Sequence, residues 1–239
     1  MVAPYRLVQG SPAPRQQSST SCGAACLTVA RMLVDAPFAR WVVSGTGHPV
    51  LGAEGSTEQQ RFASWEATVR RRTNGWRRPG GGVDLPWPPQ LGTPPWGVRH
   101  ELEHGASRVG TRYETAVVRH LDAGALRALH ARLLELVVDG EPAALYVGDR
   151  WLPRHVTLVM PSQHAGRLTV YDPGAGAVRS ISAGAFSSRR LGLSGWQQPW
   201  LLVRPTGHRT VRSGGVARPE RISLPRLTPD PTPEPLHRR

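Results

Sequence analysis

The sequence contains no lysine, and all 30 of its basic residues are arginine. Its formal net charge of +13 would by itself favour a nucleic-acid or anionic membrane partner, because a strongly basic protein attracts polyanions over long distances. Exclusive use of arginine, together with abundant glycine and proline, is instead typical of a GC-rich coding bias. No helix-turn-helix or zinc-finger pattern accompanies the densest basic stretch, at 70–78, so we expect no nucleic-acid partner.

Cysteine is almost as scarce, since only Cys22 and Cys26 are present. Two cysteines four residues apart in a predicted helix cannot supply a disulfide framework, so stability has to come from a hydrophobic core. The chain does not open with a basic segment followed by an apolar run, and no apolar stretch approaches the roughly 20 residues that cross a bilayer. We therefore expect no membrane span, a reducing cytoplasmic compartment and a thiol that is free for chemistry.

The hydrophobic period changes along the chain from helical to strand-like. The segment from Cys22 to Val34 has an apolar stripe at i, i+3, i+4 and i+7, with candidate N-caps at 19–21 and Pro37 as its stop. The pattern predicts an α+β fold, in which an N-terminal helical part that carries this helix packs on a C-terminal antiparallel sheet. Further helices are predicted at 58–72 and 122–138, and strands at 5–9, 143–147, 155–160, 168–171, 177–181 and 200–203.

Composition divides the chain into one folded domain and a tail. Residues 1–203 carry the periodic segments, whereas residues 204–239 are rich in proline and arginine, and we expect this tail to be disordered. Inside the domain, residues 74–97 form a long irregular segment rich in proline and tryptophan. Its tryptophans either fill a core beneath the loop or cover one wall of a groove.

Cys22 lies in the first turn of the first strong helix, where unpaired backbone N–H groups and the helix dipole stabilise a thiolate. Its own N–H can donate to an oxyanion that develops during acyl transfer. Gly23 permits close approach of a substrate backbone, and Gly23 and Trp151 are the candidate substrate-binding residues. Cys26, one turn further into the helix, is interpreted as a core residue.

The run QQSSTSCGAACL, from Gln16 to Leu27, resembles the nucleophile motif of the bacteriocin-processing leader peptidases, a papain-like bacterial family that removes double-glycine leader peptides. In that family a glutamine six residues before the cysteine lines the oxyanion hole, which implies this role for Gln16. The segments PRHVTLVM and LTVYDPGAG resemble the family's histidine and Asp-Pro on successive strands. The resemblance implies a papain-like cysteine peptidase with His155 as base, Asp172 as its orienting group and a peptide or protein as substrate.

Three features of the sequence depart from that family. The middle of the chain is longer and richer in tryptophan and proline, Ser21 stands where many relatives have aspartate, and we expect no fused transporter membrane domain. The double-glycine substrate is therefore not carried over. Neither is an oligomeric state implied.

Two alternatives to hydrolysis stay open at this point. The same Cys-His-Asp set serves papain-like acyltransferases, transglutaminases and deamidases, because the acylation step is shared and only the acceptor differs. A peptide-binding module that has lost its chemistry is the other alternative, although the intact Cys, His, Asp and Gln argue against it. His100 and His104 have the i, i+4 spacing of a two-histidine metal site but lack further ligands, so we expect neither a metal nor another cofactor.

Overall fold

The computed structural model describes residues 5–47, 54–75, 87–88 and 92–209 of the chain. Within these ranges six helices and six strands follow one another in the order α1, α2, α3, α4, β1, α5, β2, β3, β4, β5, α6, β6. The helices are α1 (Cys22–Val34), α2 (Ala36–Ser44), α3 (Glu58–Thr73), α4 (Pro95–His104), α5 (Ala123–Leu136) and α6 (Ala183–Ser187). The strands are β1 (Thr111–Val117), β2 (Ala143–Gly148), β3 (Pro153–His164), β4 (Arg167–Asp172), β5 (Ala177–Ser182) and β6 (Gln198–Arg209).

The six strands form one antiparallel sheet in the order β1-β6-β2-β3-β4-β5. Side chains alternate between its two faces, as the two-residue period of a strand requires. On β2, Ala144 and Tyr146 pack into a core shared with α1 to α4, whereas Leu145 and Val147 pack into a second core shared with α5 and α6. The predicted α+β arrangement, with helices packed on an antiparallel sheet, is confirmed.

Helix α1 is buried on nearly all sides rather than along one stripe. Every residue from Cys22 to Ala30 is buried, because the helix lies between the sheet and the other N-terminal helices. Its predicted bounds are confirmed. Pro37, expected only to stop the helix, instead lies in the first turn of α2, where a missing N–H has no consequence. Asp35 separates the two helices and accepts a hydrogen bond from the backbone N–H of Phe38 at 3.0 Å.

The other predicted helices begin where their caps indicate. Thr57 and Gln60 form a complete capping box on α3, and the carboxylate of Asp122 accepts the backbone N–H of Ala125 at 2.8 Å to begin α5. Helix α5 ends at Leu136, slightly before the predicted end. Pro95 opens α4, so this helix begins inside the segment 74–97 that was predicted to be irregular.

The structure differs from the predicted strands in three places. Strand β1 was not predicted, and β6 continues past residue 203 to Arg209 because its second half pairs with β1. The predicted strand at 5–9 is wrong: the side chain of Gln163 bonds Leu7 O at 2.6 Å and Gln9 N at 3.1 Å, in place of a ladder. Residues 210–239 lie outside the described residues, so disorder there stays a prediction.

The N-terminal end of α1 meets the sheet where β3 begins and β4 ends. The thiol of Cys26 lies 3.4 Å from the carbonyl oxygen of Val156 on β3, and the backbone N–H of Gln16 donates to the carbonyl of Pro173, just after β4, at 3.0 Å. The backbone around all three sequence motifs therefore converges at one end of the neighbouring strands β3 and β4. Among the described residues, no single helix is long and apolar enough to cross a membrane, although α1 and α2 together pass that length and composition test with a 116° bend between them.

Candidate active site

Cys22 is the first residue of α1 and is only 2% exposed. The side chain of Ser21 does not cap the helix, contrary to the expected N-cap, because its hydroxyl is turned back to Ser18. That hydroxyl accepts a hydrogen bond from the N–H of Ser18 and donates one to its carbonyl, both at 3.0 Å. The first backbone N–H groups of α1 are therefore left without a side-chain cap, and they favour negative charge at the Cys22 sulfur.

His155, near the beginning of β3, joins Cys22 to Asp172. Its Nε2 lies 2.8 Å from Oδ1 of Asp172, and Cys22 is close enough to the ring to help raise its pKa, with Nδ1 as the ring nitrogen left for Cys22. Burial by itself would lower the pKa of His155. The interactions with Asp172 and Cys22 outweigh burial and raise that pKa from 6.5 to about 9. The arrangement favours the imidazolium form of His155.

Asp172 is completely buried, and one of its oxygens accepts every hydrogen bond. Burial alone would raise its pKa, but the donors, led by His155 and Ser194, lower it to about 2. The other oxygen, Oδ2, has no partner. The donors to Oδ1 are His155 Nε2 at 2.8 Å, Ser194 Oγ at 2.6 Å, Gly174 N at 3.1 Å and Ala175 N at 3.3 Å.

Ser194 is a member of the site that the sequence did not reveal. It has a φ of 47°, a left-handed conformation that non-glycine residues rarely adopt, and this places its hydroxyl on Asp172. A side chain at Gly174 would not fit, because its Cβ would lie 2.4 Å from Ser194 Oγ. The sequence LGLSGW around Ser194 indicates only a turn, and no pattern connects that turn to an aspartate on another strand.

Gln16 lies beside the loop that follows Asp172, through the Pro173 hydrogen bond described above. Its side-chain Nε2 donates to the carbonyl of Ser18 at 2.7 Å, and its Oε1 is buried without a partner. An amide nitrogen carries two hydrogens, so the Ser18 bond leaves one of them for another acceptor. The side chain thus belongs to the turn that leads into Cys22.

A buried glutamate of α3, which the sequence reading did not single out, supports the same turn. Glu66 is 1% exposed, and its Oε1 accepts the backbone N–H of Gln17 at 3.0 Å. Burial raises its pKa, opposed by hydrogen bonds from Ser21 and Gln17. Glu66 therefore fixes the backbone between Gln16 and Cys22 from the side opposite the sheet strands.

The two predicted substrate-binding residues have different surroundings. Gly23 is buried, and the space beside its Cα is filled by the chain's own Thr93: a Cβ at Gly23 would lie 2.6 Å from the Thr93 side chain. Trp151 is 65% exposed in the turn between β2 and β3, where the guanidinium of Arg150 lies 4.5 Å from its ring centroid. No contact places Trp151 on Cys22.

The tryptophan-rich segment is described only in part, and Trp76 lies outside the described residues. Trp87 packs edge-on against Trp96 with ring centroids 5.3 Å apart, so these two tryptophans pack on each other. The imidazole rings of His100 and His104 stack with their centroids 4.2 Å apart. In the described part of the chain no group of three or more His, Cys, Asp or Glu side chains is arranged to hold a metal.

Among the solved structures similar to the chain is the peptidase domain of Streptococcus ComA, a bi-functional ABC transporter involved in a quorum-sensing pathway. It has 17% sequence identity and a TM-score of 0.38, and the match covers 81% of this chain and 98% of that one. Another is the Pseudomonas avirulence protein AvrPphB, with 12% identity and a TM-score of 0.45, covering 82% of this chain and 96% of that one. No protein-family model and no curated protein matches the chain.

Proposed function

We propose that the chain is a cysteine peptidase that cleaves a peptide bond through a thioester on Cys22. The observation that carries this proposal is the position of His155 in a buried site, where its Nε2 lies 2.8 Å from Oδ1 of Asp172 and its ring interacts with Cys22. A thiol needs a base within hydrogen-bond reach, and the imidazole needs a third group to fix its ring and tautomer. These three side chains meet both requirements.

The reaction follows from the charges in the site. The Cys22 thiolate attacks the carbonyl carbon of the scissile bond, a C–S bond forms, and the carbonyl oxygen becomes an oxyanion. Collapse of this intermediate breaks the C–N bond, and the imidazolium of His155 gives its proton to the leaving amine. Water then attacks the thioester while His155 takes a proton from it, which releases a carboxylic acid and restores the thiolate.

Two donors are available for the oxyanion. One is the backbone N–H of Cys22 at the uncapped start of α1, and the other is the second hydrogen of Gln16 Nε2. Asp172 keeps the His155 ring oriented and stabilises its charge, and Ser194 acts through Asp172 as a positioning residue. Glu66 positions the turn that carries Gln16.

Iodoacetamide labelling at graded pH, with the adduct located by mass spectrometry, tests the proposal. We expect the adduct on Cys22 and not on Cys26, because burial raises the pKa of the Cys26 thiol. His155→Ala should slow the labelling of Cys22 severalfold near neutral pH, and Cys26→Ser, which leaves the site unchanged, is the matched control. Labelling of Cys22 that is no faster than that of a free thiol and insensitive to His155 would contradict the proposal.

A second candidate keeps the same acylation step but transfers the acyl group to an amine. The low exposure of Cys22 favours it, because a site that excludes bulk water lets a bound amine compete with hydrolysis. Mass spectrometry of a peptide library incubated with the protein, with and without an added primary amine, separates the two. Cleaved peptides alone indicate a peptidase, whereas amide adducts that depend on the amine indicate an acyltransferase.

A further inference from the structure

A short segment that leads into α4 packs beside the candidate nucleophile Cys22. Gly92 is so close that a Cβ on it would lie 3.7 Å from the Cys22 sulfur and 3.3 Å from Thr20 O. Its φ of +72° also favours glycine. The next residue, Thr93, fills the space beside Gly23 and is completely buried. Residues 92–94, here named the strap, therefore cover the first turn of α1.

Hydrogen bonds hold the strap in place at all three of its carbonyls. The hydroxyl of Tyr146, on β2, donates to the carbonyl of Thr93 at 2.8 Å, and the side-chain amide of Asn74, just after α3, donates to the carbonyl of Gly92 at 3.5 Å. The carbonyl of Pro94 accepts the first hydrogen bond of α4, from Val98 at 3.0 Å. The strap is thus fastened to the sheet, to α3 and to α4.

The covered site cannot accept a peptide in this arrangement. Thioester formation needs a carbonyl carbon within about 3–3.5 Å of the attacking sulfur, in a line clear of protein atoms. Cys22 is 2% exposed and His155 is 6% exposed, and Gly92 of the strap is near enough that a Cβ on it would be in van der Waals contact with the sulfur. One polar atom of the strap, Thr93 Oγ1, is buried without a partner, so the closed position leaves one hydroxyl unsatisfied.

We infer that the strap closes the active site of the resting chain and that an acyl substrate reaches Cys22 only when the strap is displaced. The exclusion of an acyl substrate rests on the proposed function. The closure itself determines only how easily any reagent reaches the Cys22 thiol. The two Tyr146 and Asn74 hydrogen bonds set the balance between closed and open states, because each is lost when the strap leaves. A ligand that binds only the open state activates the enzyme by shifting that balance.

Labelling of Cys22 by iodoacetamide in the full chain measures the open population directly, provided that opening and closing are fast relative to labelling. Tyr146→Phe removes the bond to Thr93, and we expect it to increase the Cys22 labelling rate about three- to tenfold, from the net contribution of one buried hydrogen bond. Asn74→Ala should increase it less. Tyr113→Phe removes a buried hydroxyl of the same kind from β1, away from the strap, and should leave the rate unchanged.

Thermal melts of each variant confirm that it is folded, and Asn74→Ala keeps the inference testable if Tyr146→Phe does not fold. Acceleration by either variant beyond that of Tyr113→Phe supports the strap. Equal labelling rates in all folded variants and in the original chain would overturn it. The inference and the proposed function fail in different ways. If Tyr146→Phe does not accelerate the labelling of Cys22 but His155→Ala still slows it, only the strap is refuted. If Tyr146→Phe accelerates the labelling but His155→Ala does not change it, only the peptidase is refuted.

Discussion

All the hydrogen bonds of the Asp172 carboxylate are made by one of its two oxygen atoms. Four donors converge on Oδ1, which is why this carboxyl stays ionised although it is completely buried. Against the effect of burial, its hydrogen bond and charge act together with Cys22 to raise the pKa of His155 to about 9. A buried charge of this kind is tolerated only when its hydrogen bonds are made, so its donors are as important as the carboxylate itself.

Replacing Asp172 with asparagine should lower the pKa of His155. The charge and the hydrogen bond of Asp172 both raise that pKa, and without them burial, which lowers it, has a larger share. NMR titration of the His155 ring measures the change: we expect a midpoint near 9 in the original chain and a clearly lower one in Asp172→Asn. Asp149→Asn changes a partly exposed aspartate in the turn before β3 and serves as control. Equal midpoints in all three proteins would contradict the role assigned to Asp172.

Substitutions at Ser194 should separate its hydrogen bond from its backbone conformation. Ser194→Ala loses the bond to the charged Asp172, which we expect to lower the free energy of unfolding by about 1.5–3 kcal/mol. Ser194→Gly loses the same bond but relieves the left-handed φ, so it should be the less destabilised of the two. Urea denaturation measures both. Ser188→Ala, an exposed serine nearby, is the control, and an Ala variant as stable as the original chain would refute the role of the hydroxyl.

At the scale of the element, local signals determined what could be predicted. The caps at Thr57 and Asp122 and the apolar period of α1 act within a few residues, and these helices were placed correctly. The motifs around Cys22, His155 and Asp172 are local too, and the fold brings these residues together. Strand β1 was missed because its pairing partner β6 is distant in sequence, and an edge strand carries only a weak pattern of its own.

The same physical limit applies to the supporting residues of the site. Ser194, Glu66 and the strap act through contacts between segments far apart in the chain, and no local sequence pattern predicts those contacts. Gly23 shows the limit most clearly. The sequence predicted room for a substrate beside it, whereas the structure fills that room with Thr93.

Arg61 of α3 holds the end of α2, and its replacement should be among the most destabilising changes outside the core. It is 5% exposed, and its guanidinium donates to Val42 O at 2.8 Å, Val43 O at 3.0 Å and Ser56 O at 2.8 Å. Arg61→Met keeps the apolar stem but leaves those carbonyls unsatisfied, so we expect a loss of about 2–4 kcal/mol in unfolding free energy.

Arg71→Met is the matched control for Arg61. Arg71 lies on the same helix but is exposed, and its guanidinium donates a hydrogen bond to the hydroxyl of Thr68 at 3.0 Å. Its replacement should change the unfolding free energy by less than about 0.5 kcal/mol in urea denaturation. Equal losses for the two variants would show that Arg61 does not cap α2.

On the scale of the whole molecule, the site lies where the N-terminal helical layer meets the sheet. Helix α1 supplies the nucleophile from the N-terminal helical layer, and β3 and β4 supply the base and the carboxylate from the sheet. Helix α3 fixes the turn before the nucleophile through Glu66, and the strap closes the site from the side of α4. Global unfolding therefore dismantles the ion pair of His155 and Asp172 together with the cores that surround it, which couples folding stability to pH.

This coupling predicts the direction in which pH changes stability. The pKa of His155 is raised from 6.5 to about 9 on folding, so its contribution is fully present below 6.5 and is lost as the pH rises through about 9. The pKa of Asp172 is lowered from 3.8 to about 2, so its contribution is present above 3.8 and is lost as the pH falls through about 2. Between 3.8 and 6.5 both contributions are complete.

Urea denaturation of the original chain and of His155→Gln, across pH 6 to 9.5, isolates the alkaline part of this dependence. Because glutamine does not titrate, the difference in unfolding free energy between the two proteins should be largest near pH 6 and should decrease steadily toward pH 9.5. Buried tyrosines such as Tyr113, whose pKa burial raises, keep their protons in the folded state throughout and cancel in the comparison. A difference that is constant or grows with pH would show that His155 is not held as an imidazolium in the folded protein.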